Sequence, residues 1–307
     1  MGDLGASADE RRVVEWDVPL DVVRTLAPLR MSSADPTSRR HGDTYWKARH
    51  TPDGPATVAV RPTGQRAATF WAWGAGAAAA LERCHDWLGL DDDLESFDPS
   101  AHPVVERLAG QRRGVRMGRF GDTFERLVPV VFGQLVIGKE AKRSHSRLVY
   151  RFGESAPGPE PLRLSPTPER IVELGSFDFH RLGVERRRAG IVQRAAREAD
   201  RIDRLVDATV GDAYRHLQRL NGIGPWTAAS LGRIAFGDPD AVIIGDYNLP
   251  HTVAWALAGK RRSDDDEMLE LLEPFAGHRG RVQGMLKGNG KPPRHGPKYA
   301  FREIEQH

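Results

Sequence analysis

The sequence predicts an α+β domain followed by a longer, mainly α-helical region. Between residues 45 and 73, short runs rich in β-branched and aromatic residues alternate with Pro/Gly turns, which is typical of an antiparallel sheet. From Pro103 onwards, apolar residues recur with helical spacing instead. Residues 91–100, DDDLESFDPS, are polar and turn-forming. They are predicted to link the two parts.

The α+β domain is predicted to cover residues 11–100, after a disordered tail at residues 1–10. Its expected strands and helices are strands 13–18, 45–50, 56–61 and 67–73, and helices 20–29 and 76–88. The helical domain is predicted to cover residues 101–307 and to end in a basic tail from Lys287. Its expected helices are 103–109, 123–137, 141–152, 168–174, 185–200, 212–220, 226–236, 247–258 and 264–275.

An aromatic cluster in the predicted sheet has two interpretations. It consists of Tyr45, Trp46, Phe70, Trp71 and Trp73. It could be a platform on which nucleic-acid bases stack, or it could be the core of the domain. Trp71 and Trp73 are two residues apart and therefore share one face of a strand, which favours the core.

Composition excludes several classes of protein. The chain has 307 residues and 39% apolar residues, enough for two or three packed domains. A single cysteine, Cys84, excludes an intrachain disulfide, a four-cysteine zinc site and a four-cysteine iron–sulfur cluster. The absence of a signal-peptide pattern and of any long apolar run predicts a cytoplasmic protein without a membrane partner. The net charge of +3 and pI near 9.1 favour nucleic acid only mildly.

The string Leu220-Asn221-Gly222-Ile223-Gly224 lies between two predicted helices. Two glycines allow a sharp turn that brings backbone N–H groups together, and with the N-terminus of the next helix these groups form an anion-binding nest. The alternative is a simple turn between helices. The following Pro225-Trp226 exceeds what a simple turn requires. We therefore predict that a DNA phosphate is bound by a set of four residues, Gly222, Ile223, Gly224 and Thr227.

Asp246 is the predicted catalytic carboxylate. It lies 22 residues after Gly224, which leaves room for one helix and one loop, so it can fold back near the hairpin. A carboxylate beside DNA can stabilise an oxocarbenium ion on deoxyribose or orient water towards it. The alternative is a simple N-cap of the next helix. Asp238 and Asp240 lie in a turn-forming string and are interpreted as structural.

Together these residues resemble the HhH-GPD superfamily of DNA glycosylases, and in particular its bacterial 3-methyladenine DNA glycosylase II branch. Further similar segments extend the resemblance over nearly the whole chain; they are WDVPLD at 16–21, VFGQLV at 131–136, SPTPE at 165–169, LGV at 182–184, RRRA at 186–189 and residues 274–281. The resemblance implies a TATA-binding-protein-like antiparallel sheet domain and two helical subdomains with the active-site cleft between them.

The resemblance also assigns roles to single residues. Gln134 and Leu135 fall where the family places a wedge that fills the gap left by a flipped nucleotide. Trp226 falls where bifunctional members carry a Schiff-base lysine. Because tryptophan cannot form that imine, we expect a monofunctional enzyme.

The base pocket departs from the family pattern. Trp226 is its expected floor, but Ser230 replaces an aromatic residue one turn later, and Lys287 aligns with a pocket tryptophan. Three roles of this lysine stay open, namely repulsion of a cationic base, contact with a phosphate, or simple solvation. The predicted pocket is more polar, which weakens the case for cationic alkylated purines, since these bind by stacking and cation–π attraction.

The resemblance implies a monofunctional DNA glycosylase of base excision repair that flips a damaged base out of double-stranded DNA and removes it. The expected base is an alkylated purine. Alternatives are deaminated, oxidised or bulky lesions, or a catalytically silent DNA-binding module. We expect a monomer, because a lesion is an asymmetric target. No cofactor is expected to be required, and neither zinc nor an iron–sulfur cluster. A structural Na⁺ or K⁺ at the hairpin would be bound by three backbone carbonyls, those of Gln218, Leu220 and Ile223.

Overall fold

The computed structural model describes residues 4–290 of the chain. Its N-terminal end is ordered, because Leu4–Ala6 forms a short 3₁₀ helix and Asp9 joins the sheet. The N–H of Asp9 donates to the carbonyl of Ala72 at 2.9 Å, and its carboxylate accepts the N–H of Gly74 at 2.7 Å. The prediction of a disordered tail is therefore wrong for residues 4–10. Residues 1–3, and residues 291–307 of the predicted basic tail, lie outside the described residues.

Five antiparallel strands form one sheet in the order β1-β5-β4-β3-β2. Their bounds are β1 Glu10–Glu15, β2 Ser38–His41, β3 Thr44–Thr51, β4 Gly54–Pro62 and β5 Ala67–Trp73. The predicted meander is confirmed, and the first strand begins three residues earlier than expected. Strand β2 was not predicted, because the sequence of this strand, SRRH, has no apolar alternation. It is an edge strand, where polar residues are common.

Both faces of the sheet are buried, which confirms the core interpretation of the aromatic cluster. Tyr45 and Phe70 face the helices that follow the sheet. Trp46, Trp71 and Trp73 face the other way and pack with two leucines of the loop at 155–168, Leu162 and Leu164. The rings of Trp46 and Trp73 stack with centroids 5.2 Å apart. Because this loop belongs to the second half of the chain, the helical half covers one face of the sheet.

Most predicted helices are present, but four are interrupted, among them 264–275, which is an α-helix followed by a 3₁₀ turn, and the predicted helix 123–137 ends at Phe132. The helices are α1 Val22–Thr25, α2 Ala77–Leu81, α3 Cys84–Leu88, α4 Pro103–Gly110, α5 Thr123–Phe132, α6 Gly138–Phe152, α7 Pro168–Glu173, α8 Ser176–Arg181, α9 Arg186–Ala196, α10 Ala199–Asp203, α11 Val210–Arg219, α12 Pro225–Ala235, α13 Leu249–Ala258, α14 Asp265–Leu272 and α15 Arg279–Lys287. The predicted helix 20–29 is α1 plus a 3₁₀ turn, 76–88 is α2 and α3, and 185–200 contains α9 and the start of α10. Among residues 4–290, no helix combines the length and the apolar character that a membrane span requires.

Helical periodicity did not predict α15, because two glycines lower its helix propensity, although the family resemblance implied a final helix in this region. A Cβ on Gly280 would lie 2.5 Å from the carbonyl oxygen of Ala241, and one on Gly284 would lie 2.1 Å from the guanidinium of Arg233. Both glycines therefore permit close packing. Lys287 is the last residue of this helix, so the predicted tail starts after it.

The polar linker has a structural role. The carboxylate of Asp92 forms an ion pair with Arg281 of α15, in which both side chains are 3% exposed. It also accepts the N–H of Met117 at 2.8 Å. Breaking a buried ion pair by removing one partner costs about 3–5 kcal/mol. The linker is therefore fixed to the last helix rather than mobile.

The helical part has two hydrophobic cores. One is formed mainly by α5 to α12, and the other by α4 and α13 to α15 with Ala229 of α12. Both cores include residues of α12: Ala228 and Leu231 pack in the first, and Ala229 in the second. Trp226, at the start of the same helix, packs against the second core. The start of α12 therefore lies where the two cores meet.

The carboxylate of Asp203 lies at the N-terminus of α5, where it accepts the N–H of Phe124 at 2.8 Å. Burial, with the negative charges of Asp122 and Glu125, raises its pKa to about 6. A carboxyl group with a raised folded-state pKa stabilises the fold below its unfolded pKa of 3.8, and this contribution is lost as the pH rises through 6.

Asp203→Asn is therefore expected to raise the Tm by about 2 °C at about pH 8, because it removes the unfavourable charge. Asp203 is exposed to solvent at its surface side, so solvent screening limits the gain in the free energy of unfolding to about 1 kcal/mol. At about pH 4 the Tm should hardly change. Thermal unfolding followed by circular dichroism at both pH values tests this, and an equal shift at both would contradict it.

Candidate active site

The predicted hairpin connects α11 to α12. Gly222 has φ +98°, and a Cβ there would lie 2.5 Å from the side chain of Ile191 on α9, so both the backbone and the packing require glycine. Ile223 is 4% exposed, and its N–H donates to the carbonyl of Leu220 at 2.9 Å. Around Gly224 a Cβ would meet nothing within 4 Å. The hairpin is therefore packed on its inner side and open at Gly224.

The side chains of Thr227 and Gln134 are hydrogen-bonded to each other. Thr227 is 2% exposed, and its hydroxyl accepts a hydrogen bond from the side-chain amide of Gln134 at 3.0 Å. The same amide nitrogen donates to the carbonyl of Gly222 at 3.0 Å. The Thr227 side chain therefore faces inward, away from a phosphate, and only its backbone N–H in the first turn remains a donor. Gln134 thus connects the loop that follows α5 to the hairpin.

Leu135 has the geometry of a wedge. Its side chain is 81% exposed and its φ is +58°. Left-handed backbone costs a leucine roughly 1–2 kcal/mol. A large apolar side chain that is both exposed and strained stabilises nothing within the fold, and such strain is concentrated at functional sites. Hydrogen bonds of the neighbouring Gln134 place it next to the hairpin.

Asp246 lies just before α13 and is partly exposed. Its Oδ1 accepts the N–H groups of Asn248 at 2.8 Å and Leu249 at 3.0 Å, so the capping interpretation is correct for this oxygen. Its Oδ2 accepts the indole N–H of Trp226 at 3.3 Å. The carboxylate is thereby fixed beside the first turn of α12. This contact brings together two residues that the sequence analysis placed in one site.

The backbone before Asp246 depends on a carboxylate that the sequence analysis missed. Gly245 has φ +74°, and its N–H donates to Oδ2 of Asp265 on α14 at 2.8 Å. Asp265 lies in the run DDDE, which has no catalytic pattern, so no sequence signal pointed to it. Its contact fixes the turn that presents Asp246.

Trp226 is half-buried, and its ring lies near the end of α5, since a Cβ on Gly133 would be 3.7 Å from it. Ser230 is half-buried one turn later on α12. Lys287 is exposed, and within residues 4–290 no hydrogen bond or ion pair joins it to Trp226 or Asp246. The structure thus brings Trp226 and Asp246 into contact, but it gives Lys287 no such contact.

Asp238 and Asp240 are structural, as predicted. Asp238 is 8% exposed and accepts the hydroxyl of Tyr214 at 2.6 Å. Asp240 forms an ion pair with Arg279. Burial opposes ionisation of Asp240, but hydrogen bonds from Arg279 outweigh it and lower the pKa of this carboxyl. Both groups fix the loop that leads to Asp246.

The chain is similar in sequence to curated DNA repair enzymes. No family model matches the chain. It is 28% identical to "DNA-3-methyladenine glycosylase" of Bacillus subtilis over 62% of this chain and 65% of that protein. It is 30% identical to "Probable bifunctional transcriptional activator/DNA repair enzyme AlkA" of Mycobacterium tuberculosis over 55% of this chain and 35% of that protein. The chain thus spans less than two thirds of each of these relatives.

Solved structures show the same fold. "3-methyladenine dna-glycosylase from Archaeoglobus fulgidus" matches 91% of this chain and 98% of its own, with a TM-score of 0.76 and 18% identity. A Clostridium acetobutylicum 8-oxoguanine glycosylase/lyase in complex with dsDNA matches 91% of this chain and 96% of its own chain, with a TM-score of 0.67 and 14% identity. The resemblance to the DNA glycosylases is confirmed. The two-part fold that it implied, a sheet domain followed by helices, is the glycosylase fold.

Proposed function

We propose that this protein is a monofunctional DNA glycosylase of base excision repair, which flips a damaged base, preferentially an alkylated purine, and hydrolyses its N-glycosidic bond. The observation that carries the proposal is the hydrogen bond from the indole N–H of Trp226 to the Asp246 carboxylate. It lies beside the hairpin, which Gln134 connects to the loop at 133–137, here called the wedge loop. The names of the homologous relatives support the reaction class. Double-stranded DNA with a damaged base is the proposed partner of a cytoplasmic monomer.

The reaction uses each part of the site in turn. Backbone N–H groups at Gly224 and the first turn of α12 bind a phosphate, because a helix N-terminus attracts anions. Leu135 enters the gap in the base stack, and the flipped base stacks on Trp226. The C1′–N bond then breaks, with the electron pair leaving on the base. Asp246 stabilises the positive charge on the sugar, and water adds to C1′ while its proton is released to solvent or to the base.

An alkylated purine is the proposed substrate class because its base leaves without a strong general acid, and the described site contains no candidate for one. Trp226, at the position of the lysine of bifunctional members, supports release of an abasic site without a lyase step. The half-buried hydroxyl of Ser230 favours the second candidate, a base with polar substituents, such as a deaminated or oxidised lesion.

A monovalent cation at the hairpin is part of the proposal. The carbonyls of Gln218 and Leu220 lie at the C-terminal end of α11, where carbonyls lack intrahelical donors. Leu220 accepts one hydrogen bond, from Ile223, so its oxygen retains a lone pair. With the carbonyl of Ile223 these groups fit a Na⁺ or K⁺. Such an ion would add positive charge where the phosphate binds.

A lesion panel tests the proposed function. The protein is incubated with duplexes that contain 3-methyladenine, 7-methylguanine, ethenoadenine, hypoxanthine, uracil or 8-oxoguanine, and abasic sites are detected by alkaline cleavage. We expect excision of an alkylated purine and no borohydride-trapped adduct. Excision of only deaminated or oxidised bases would support the second candidate. Binding to damaged duplexes without excision of any base would overturn the enzymatic proposal.

Asp265 gives a further prediction. Asp265→Ala removes the acceptor of the Gly245 N–H, so Asp246 loses its fixed position and the single-turnover rate should fall about ten- to hundredfold. Asp265→Asn keeps an oxygen acceptor and should retain a rate within about threefold of wild type. Single-turnover kinetics at saturating enzyme measures this. Equal rate losses in both variants would show that the charge, rather than the hydrogen bond, is required.

A further inference from the structure

One face of α9 is rich in arginine. Residues 186–197, RRRAGIVQRAAR, contain five arginines and no carboxylate. Four of these side chains are exposed, namely Arg186, Arg187, Arg194 and Arg197. Arg188 is 2% exposed and belongs to the core. With 3.6 residues per turn, Arg187 and Arg194 lie on the same side of the helix, with Gly190 between them. We call this surface the α9 arginine face.

The position of these charges is unfavourable for the helix itself. Arg186 and Arg187 lie in the first turn, which contains no acidic residue. The helix dipole favours negative charge there, and cations are preferred in the last turn instead. Arginines at the first turn therefore reduce helix stability slightly. A solvated helix face would be expected to mix both charges, so a partner that supplies negative charge gives a better account of the pattern.

Contacts connect the α9 arginine face to the candidate active site. The guanidinium of Arg194 donates to the carbonyl of Asn221 in the hairpin at 3.0 Å. Ile191 packs under Gly222 of the same hairpin. At the other end, Arg188 donates to the carbonyl of Phe132 at 2.6 Å, three residues before Leu135. The face therefore extends the surface formed by the hairpin and the wedge loop.

We propose that the α9 arginine face binds the phosphate backbone of the duplex on one flank of the lesion. This inference rests on the proposed function, since it assumes that the hairpin and Leu135 face DNA. Guanidinium groups suit phosphate because they donate two parallel hydrogen bonds. A helix of 11 residues is about 16 Å long. At 3.4 Å per base pair this length corresponds to about five base pairs.

The double variant Arg187→Gln/Arg194→Gln tests this on duplexes with a non-cleavable abasic-site analogue. Each lost phosphate contact should make the slope of log K against log salt concentration shallower by about 0.9. The slope of the double variant should therefore be shallower than that of wild type by about 1–2 in total. The Kd at low salt should rise about tenfold. The single-turnover rate at saturating enzyme should stay within twofold of wild type, because the chemistry of Asp246 is unchanged. The variant Arg187→Lys/Arg194→Lys keeps the charge and should retain most of the slope.

The control is Arg11→Gln/Arg66→Gln, which removes the same charge from exposed positions on the sheet domain. It should leave the Kd and the slope unchanged. Duplexes shortened to three base pairs on one side of the lesion locate the contact, because the defect of the double variant should vanish for one flank only. An equal defect in the control, or an unchanged slope in the double variant, would overturn the inference. Neither of these two outcomes would change base excision by the wild-type protein. The inference can therefore fail while the proposed function holds.

Discussion

Asp246→Asn is expected to reduce the single-turnover rate of base excision about a thousandfold, while the Kd for an abasic-analogue duplex changes less than threefold. The amide oxygen can still accept the N–H groups of Asn248 and Leu249, so α13 should keep its first turn. The negative charge that stabilises the oxocarbenium ion is lost, and the amide nitrogen would face the N–H of Trp226. Electrostatic stabilisation of this kind is worth about 10²–10³ or more in rate.

The matched control for this variant is Asp266→Asn, which removes an exposed carboxylate of α14. It should leave rate and affinity as in wild type. Rates are measured with enzyme in excess over the lesion duplex, and folding is checked by circular dichroism. If Asp246→Asn excises any base of the panel at the wild-type rate, the assigned role is wrong. If both variants lose activity equally, the effect is one of overall charge.

Leu135→Gly is expected to lower activity on duplex DNA about a hundredfold and to leave stability unchanged or slightly higher. The side chain is 81% exposed, so its removal costs little burial, and glycine accepts φ +58° without strain. The gain in the free energy of unfolding is about 1 kcal/mol at most, because glycine also increases the entropy of the unfolded chain. Without the wedge, the unstacked step is left unfilled, which costs a few kcal/mol.

A single-stranded substrate is the internal control, because it has no opposing stack to fill. Its excision rate should change less than threefold in Leu135→Gly. Phe177→Ala removes another apolar side chain, which is 69% exposed, and should change the excision rate on neither substrate. Equal losses on single- and double-stranded substrates would show that Leu135 acts in the pocket instead. Denaturant unfolding of the variant tests the stability part.

The hairpin and Asp246 were predictable from sequence because both depend on local signals. Gly222 and Gly245 adopt positive φ, which few residues accept, and Asp246 precedes a helix whose first turn it caps. The spacing allowed Asp246 to fold back near the hairpin, but the hydrogen bond from Trp226 to Asp246 was not predicted. The strands of the meander were predictable for the same reason, since alternation is a property of neighbouring residues.

Other features were not predictable because they depend on contacts between distant residues. Asp265 bonds the backbone of Gly245, 20 residues earlier, and any of the neighbouring carboxylates had the same sequence signal. Thr227 is in a position typical of a phosphate ligand, yet Gln134 occupies its hydroxyl from 93 residues away. The helix at Arg279–Lys287 contains glycines that only close packing explains.

The two hydrogen bonds of Gln134 fix the position of Leu135 relative to the hairpin. One nitrogen donates both to the carbonyl of Gly222 and to the hydroxyl of Thr227, and Leu135 is the next residue. In the proposed complex with DNA, the point at which Leu135 enters the base stack would therefore lie at a constant distance from the phosphate bound at the hairpin. Under that proposal, a protein sliding along DNA would test one nucleotide for each phosphate that it binds.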